Sequence, residues 1–315
     1  MKRPKHTTVI LNPAASGGSG ARVQPKLEGE LTRRNIPFTL LRSEAPGHAE
    51  ALSREAARDG ADLILVVGGD GTIHEVANGI LKGETKPPPI AVVPVGTGND
   101  FYRMVSGSRN IGAALEGLLD GTVRDFDVGR VRFDGADSFF VNLLGVGVDV
   151  EVLRRRSDFP RLGGLPQYLA ALVSALVTFR PVPVRVSLRG SEGGDEAEVI
   201  EDGTILMAVT VGPSVGGGFL LSPDASPYDG LLDLFFVKTM GMLKLARYIP
   251  KVIRGTHQGV PELLQRRIMA ATVRRSDQEP FFFEMDGERM PDSVTSLELE
   301  VCPGILPVLV PKGVR

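Results

Sequence analysis

Apolar positions along the chain follow two different rhythms, and the change falls near residue 122. Before it, short apolar runs near Thr7, Phe38, Leu63 and Ile90 alternate with stretches whose apolar residues recur at helical spacing. Such alternation predicts a parallel sheet with helices on both faces. The run at 63–67 is apolar, rich in β-branched residues and bounded by glycine, as expected of a strand buried on both faces. After it Ile73, Val76, Ala77 and Ile80 recur at helical spacing, with the Thr72 hydroxyl placed to cap the helix start.

Beyond residue 122 the runs shorten. Segments 125–133, 138–144, 182–188, 204–211, 232–237, 269–275, 281–284 and 296–301 predict strands joined by turns, and 165–179 and 242–255 predict helices. The expected organisation is a Rossmann-like α/β domain over 1–126, with the tail 305–315 returning to it. A β-rich domain of two packed sheets is expected over 127–304.

The strand ends carry the chemistry. GGDGT at 68–72 places Asp70 inside a glycine turn between strand and helix. Gly68, Gly69 and Gly71 leave no Cβ to block a phosphate, and the helix N-terminus offers unpaired N–H donors. A carboxylate there would repel phosphate unless it holds Mg²⁺ or takes a proton from an attacking hydroxyl; the plainer alternative is an Asp closing a tight turn. VGTGNDF at 95–101 repeats the arrangement one strand later, with Gly96, Thr97, Asn99 and Asp100. In an open parallel sheet both turns face the same edge, where ligands bind. Neither turn fits GxGxxG, and no GxxxxGK[ST] string occurs. After the first strand, NPAASGGSGAR offers Asn12, Ser16, Gly17, Gly18 and Gly20 as donors to a nucleotide, or reads as an ordinary flexible connection. In the second part MDGERMPD sets Asp286 and Glu288 on either side of Gly287, either as a plain Asp-Gly hairpin or as the source of a base that activates a substrate hydroxyl.

Composition narrows the partners. With 315 residues and 42% hydrophobic content the chain buries a sizeable core, and a net charge of -2 gives no reason to expect nucleic acid. One cysteine, Cys302, excludes an internal disulfide and suits a reducing cytosol. The apolar stretch after MKRPKH is too short for a signal-peptide core, so secretion is not expected. His6, His48, His74 and His257 lack metal-ligand spacing and read as surface or packing residues. No stretch reaches the length of a membrane span; YLAALVSALVTF at 168–179 reads as a buried helix. Residues 238–254 hold five basic residues and no acidic ones among apolar side chains, and Arg154, Arg155, Arg156 and Arg161 form a second cluster. Either could lie on an anionic membrane or be a plain solvated face, and Pro250 is expected to interrupt the first.

GGDGTIHEVANG at 68–79, PVGTGNDF at 94–101, NPAASGG at 12–18, GVGVDVEV at 145–152, GGGFLLSPDASPYDGLLDL at 216–234 and MDGE at 285–288 together resemble the diacylglycerol kinase and sphingosine kinase catalytic-domain family. The resemblance covers nearly the whole chain. It implies transfer of the ATP γ-phosphoryl group to a lipid hydroxyl at a membrane surface, by a cytoplasmic enzyme that meets the membrane peripherally and is compatible with a homodimer. It implies ATP contacts at Asn12, Gly69, Gly71, Thr72, Glu75 and Thr97, and at Ser43 where relatives often carry threonine. Asp70 and Asp100 would serve the phosphates and Mg²⁺, Glu288 would accept the proton with Asp286 beside it, and a second Mg²⁺ would sit at Ser226, Asp229 and Leu231. The rival enzyme is an NAD kinase, which shares the GGDGT turn and a β-rich second domain but not the GTGND and DGE segments. A catalytically silent lipid-binding or regulatory protein is the third reading, disfavoured by the full set of acidic residues.

Overall fold

The computed structural model describes residues 4–96, 98–105, 114–115, 121–190 and 198–312. The chain forms two compact units, Met1–Phe126 with Gly304–Arg315, and Asp127–Pro303.

In the first unit β1 (Thr7–Leu11), β2 (Phe38–Arg42), β3 (Leu63–Gly68) and β4 (Ile90–Pro94) form a parallel sheet in the order β4-β3-β1-β2. All residues of β1 and β3 are buried, which is why β3 reads as an unbroken apolar run and β1, TTVIL, as a β-branched one. The far end of the chain adds a parallel pairing, Val308 opposite Ile90. The helices are α1 (Ala15–Arg33), α2 (His48–Arg58), α3 (Asp70–Leu81) and α4 (Asp100–Val105). The segment after β1 is more ordered than a flexible connection: it enters α1 directly, with positive φ at Ser16, Gly17 and Gly18 breaking the first turn. Nor does Thr72 cap α3. The helix starts two residues earlier behind an extended Gly69, with no side-chain cap.

The second unit is a β-sandwich built around one long strand. It contains β5 (Thr122–Phe133, entering from the first unit), β6 (Ala136–Phe140), β7 (Leu143–Gly147), β8 (Val182–Arg189), β9 (Val199–Thr210), β10 (Leu232–Lys238), β11 (Leu263–Ile268), β12 (Ala270–Arg275), β13 (Phe283–Met285), β14 (Glu288–Arg289) and the start of β15 (Ser296–Val310). The first half of β9 pairs with β8, and its second half lies between β7 and β10, so one strand serves both sheets. Phe140, Phe236, Phe283, Val186, Val273 and Leu297 fill the space between the sheets. Helices α5 (Val148–Arg155), α6 (Gly164–Leu176) and α7 (Met242–Ile253) pack on an outer face through a separate apolar cluster. The pattern did not predict α5 or β11. α5 has only eight residues and its alternating VDVEV mimics a strand, while the charged QRR of β11 hides its apolar ends. Pro250 lies within α7 without ending it, although it removes the N–H that the Ala246 carbonyl would otherwise accept.

One close approach fixes α3. A Cβ on Gly79 would lie 2.0 Å from the Ser53 hydroxyl and 2.2 Å from the Glu50 carbonyl of α2, while that hydroxyl donates to the Val76 carbonyl at 3.1 Å. Gly79→Ala must therefore push the two helices apart. It should cost about 1–3 kcal/mol, as overpacking does, read from urea unfolding; wild-type stability would contradict this packing.

Candidate active site

The two glycine turns of the first unit touch. A Cβ on Gly96 would fall 2.5 Å from the Gly69 Cα, and one on Gly69 would fall 3.0 Å from the Gly96 Cα. No residue but glycine fits either position without moving backbone. The turns are tied as well: the Val95 N–H donates to the Gly68 carbonyl at 3.0 Å, and the Phe101 N–H donates to Asp70 Oδ1 at 3.1 Å. Asp70 and Asp100 thus open α3 and α4 side by side. Asn99, at φ 52°, folds its side-chain amide back on Gly96, accepting from the Gly96 N–H at 2.9 Å and donating to its carbonyl at 2.7 Å. Thr97 lies outside the described residues.

Asn12 joins this edge from β1. Its Nδ2 donates to Thr72 Oγ1 at 3.1 Å and its Oδ1 accepts from the Ala14 N–H at 3.0 Å. Gly68 is glycine because a Cβ there would lie 2.4 Å from that same Thr72 oxygen. Ser16 and Gly17 are exposed on the broken turn, Gly71 sits in the first turn of α3, and Ser43 is buried at the end of β2, its N–H on the Leu11 carbonyl at 2.9 Å. Glu75 serves a neighbouring helix. Both its carboxylate oxygens accept backbone N–H groups, of Gly47 and Ala49 at 2.9 Å each, so it caps α2 and we assign it there instead of to a nucleotide.

Magnesium suits the Asp70 and Asp100 pair in chemistry. It takes hard oxygen ligands and is usually held by one or two carboxylates plus phosphate oxygens. Asp70 stands at a helix start beside a cradle that a Cβ would fill, and Asp100 shares one oxygen with Arg103 at 3.2 Å. Ser226, Asp229 and Leu231, expected to hold a second Mg²⁺ with two of them through backbone carbonyls, lie on the loop before β10. Asp229 already accepts the Leu231 N–H at 3.1 Å on one oxygen and pairs with the Arg267 guanidinium on the other. Among the described residues no cluster of three or more His, Cys, Asp or Glu is placed to hold a metal.

The DGE segment is a tight hairpin with positive φ at Asp286 (51°) and Gly287 (87°), closing the Met285–Glu288 pair. Its two acids have opposite environments. Asp286 is buried, and its carboxylate accepts the N–H groups of Val141, Asn142 and Leu143 at 2.8 to 3.0 Å. It anchors the turn, with both oxygens occupied by backbone amides. Glu288 is exposed, beside an opening lined by Arg154, Arg156 and Arg289.

Three polar residues escaped the sequence reading. Glu284 and Asp149 are both buried, and the Tyr168 hydroxyl donates to Asp149 Oδ1 at 2.5 Å. Burial first, and Asp149 second, push the Glu284 carboxyl well above the usual carboxylate range. A lone acid within the apolar run FFFEM at 281–285 was the available signal. Tyr168 also lines an apolar pocket between α6, α7 and the sheet, with Leu172, Phe219, Phe235, Ile249 and Val252 among its walls; its empty space, open mouth included, is about 620 Å³. His257 is a packing residue, fully buried beside the Phe235 ring.

Around that pocket α6 and α7 turn apolar residues to solvent. Val177 is 77% exposed and Leu243 91%. Arg247 and Arg254 of this region make no ion pair among the described residues, whereas Lys244 pairs with Glu262. No described helix is long and apolar enough to cross a membrane.

Two family models match the chain: the diacylglycerol kinase catalytic domain over residues 6–131, and the YegS C-terminal NAD kinase beta sandwich-like domain over residues 142–310. A diacylglycerol kinase of Bacillus subtilis (strain 168) is 32% identical over 290 residues, 90% of each chain, and one of Mycobacterium tuberculosis (strain H37Rv) is 29% identical over 268 residues, 84% of each. A solved structure from Bacillus anthracis (strain Sterne), described as a candidate diacylglycerol kinase, superposes with a TM-score of 0.80 at 25% identity, covering 100% of both chains. With both halves matched and a relative of that identity along nearly its whole length, the chain belongs to the diacylglycerol kinase catalytic-domain family of lipid kinases.

Proposed function

We propose that this chain transfers the γ-phosphoryl group of ATP to the hydroxyl of a lipid alcohol, diacylglycerol or a related lipid. The contact of the Gly69 and Gly96 turns, with an aspartate opening the helix after each, carries the reading. Backbone N–H groups at the start of α3 receive phosphate oxygens, where the helix dipole favours negative charge. Asn12, Thr72 and Asn99 hold the shape of that cradle. Asp70 and Asp100 hold Mg²⁺, which supplies charge neutralisation on the transferring group. On the second unit Glu288 accepts the proton of the lipid hydroxyl as the new bond forms. Acyl chains enter the apolar pocket between α6 and α7, which favours a lipid over the polar NAD that the sandwich's family description brings to mind.

The direct test is mass spectrometry of a native lipid extract after incubation with the protein, Mg²⁺ and ATP. A phosphorylated lipid alcohol supports the reading; phosphorylated NAD in a parallel incubation, with no phosphorylated lipid, overturns it.

The enzyme meets its substrate at a membrane surface through α6 and α7. Exposed Val173, Val177, Met242 and Leu243 would enter the interface, with Arg247 and Arg254 facing anionic headgroups. Vesicles containing anionic lipid should bind the protein more tightly than neutral ones. Leu243→Glu should weaken that binding about tenfold or more, the value of one inserted leucine; equal binding to both vesicle types would rule this surface out.

Glu288→Gln should lower kcat on the order of 10²–10⁴-fold, the contribution of a positioned base, with affinity for ATP unchanged in a binding titration. Unaltered kcat removes Glu288 from the reaction.

A further inference from the structure

The DGE hairpin is held by a buried acid pair that the proposed chemistry does not use. Glu284, 1% exposed, lies on β13, and Asp149, 4% exposed, opens α5. Both reach over Gly145 of β7, where a Cβ would stand 2.7 Å from Asp149 Oδ2 and 2.8 Å from Glu284 Oε1, so the two carboxyls converge on the space that glycine leaves empty. On its other side Glu284 Oε2 accepts the Gly287 N–H at 2.8 Å. Asp149 Oδ1 is taken by the Tyr168 hydroxyl of α6, and Glu284 Oε1 meets no N–H or hydroxyl donor.

We propose that Glu284 is a positioning residue: it shares one proton with Asp149, donating Oε1–H to Asp149 Oδ2, and in that state holds the Gly287 amide and the turn that carries Glu288. Two carboxylates this close in an apolar setting cannot both ionise. The other groups facing the pair do not supply a compensating cation. Asp286 is a third acid, held by three backbone amides, and Tyr168 is a phenol whose own ionisation is suppressed by burial and then by Asp149. Arg156, at the end of α5, is the cation acting on that phenol. Burial and Asp149 raise the Glu284 carboxyl, so it stays neutral where an ordinary carboxyl is charged. The turn needs such a hold, because Asp286 is a non-glycine residue at positive φ.

The pH dependence follows. A carboxyl whose folded pKa is raised binds its proton more tightly in the folded state. Its contribution to stability is complete below the unfolded value, near 4.5, and is lost as pH rises toward the folded value. At the alkaline end two charges face each other and the grip on Gly287 loosens.

What Glu288 does rests on the kinase reading; the proton-sharing pair does not. Glu284→Gln tests both, since the amide can donate to Asp149 and accept from Gly287 but cannot titrate. The infrared spectrum at neutral pH should show a protonated-carboxyl band that Glu284→Gln removes, and the variant's melting temperature should lose the wild type's decline toward alkaline pH. Absence of the band from the wild type, or its survival in the variant, overturns the pair whether or not the protein phosphorylates lipid. In the kinase assay Glu284→Gln should retain most of kcat and lose its alkaline fall. Glu284→Ala should lower kcat by about a hundredfold, the cost of misplacing a catalytic group by an ångström, with KM for ATP unchanged. Wild-type kcat in a folded Glu284→Ala protein, or a Glu284→Gln pH profile that superposes on the wild type, overturns the positioning role.

Discussion

The first unit depends on a backbone contact that tolerates no side chain. Gly69 and Gly96 meet so closely that a methyl on either would collide with the other's main chain. The consequence is electrostatic as much as steric. Two helices begin within one small region, each with an aspartate in its first turn, and the Phe101 N–H of one binds the Asp70 carboxylate of the other. Helix starts attract anions and carboxylates repel them, so an edge with both is suited to phosphate and a divalent cation together.

In the second unit polar groups are placed with equal economy. The Asp286 carboxylate ties the hairpin to the segment between β6 and β7, Glu284 ties it from below, and Glu288 is left at the surface. Asp286, two residues earlier, is buried with its carboxylate on three backbone amides and serves as an anchor. The same region joins the apolar pocket through Tyr168, which lines the pocket and donates to Asp149. Polar contact at one end and apolar walls at the other match the two-sided nature of a lipid alcohol.

Much of this was legible in the sequence because local physics dominated. Strands buried on both faces show as apolar or β-branched runs, so β1, β3 and β4 and the α/β class could be read directly. GGDGT and GTGND marked the strand ends because only glycine meets those backbone demands. The rest depended on partners distant in the chain. Nothing local says that Glu75 caps a helix beginning near residue 48, or that Asp286 is consumed by amides 143 to 145 positions away. α5 was hidden because a short helix with alternating valines carries the period of a strand. Nor does any spacing rule reveal that Arg267 of β11 pairs with Asp229.

The central claim is that the touching turns form the phosphate site, and Gly96→Ala addresses it with a single methyl. Isothermal titration with MgATP, on protein whose circular dichroism matches the wild type, should show binding lost or greatly weakened, since the methyl must force the cradle apart. Wild-type affinity in that variant would contradict the account.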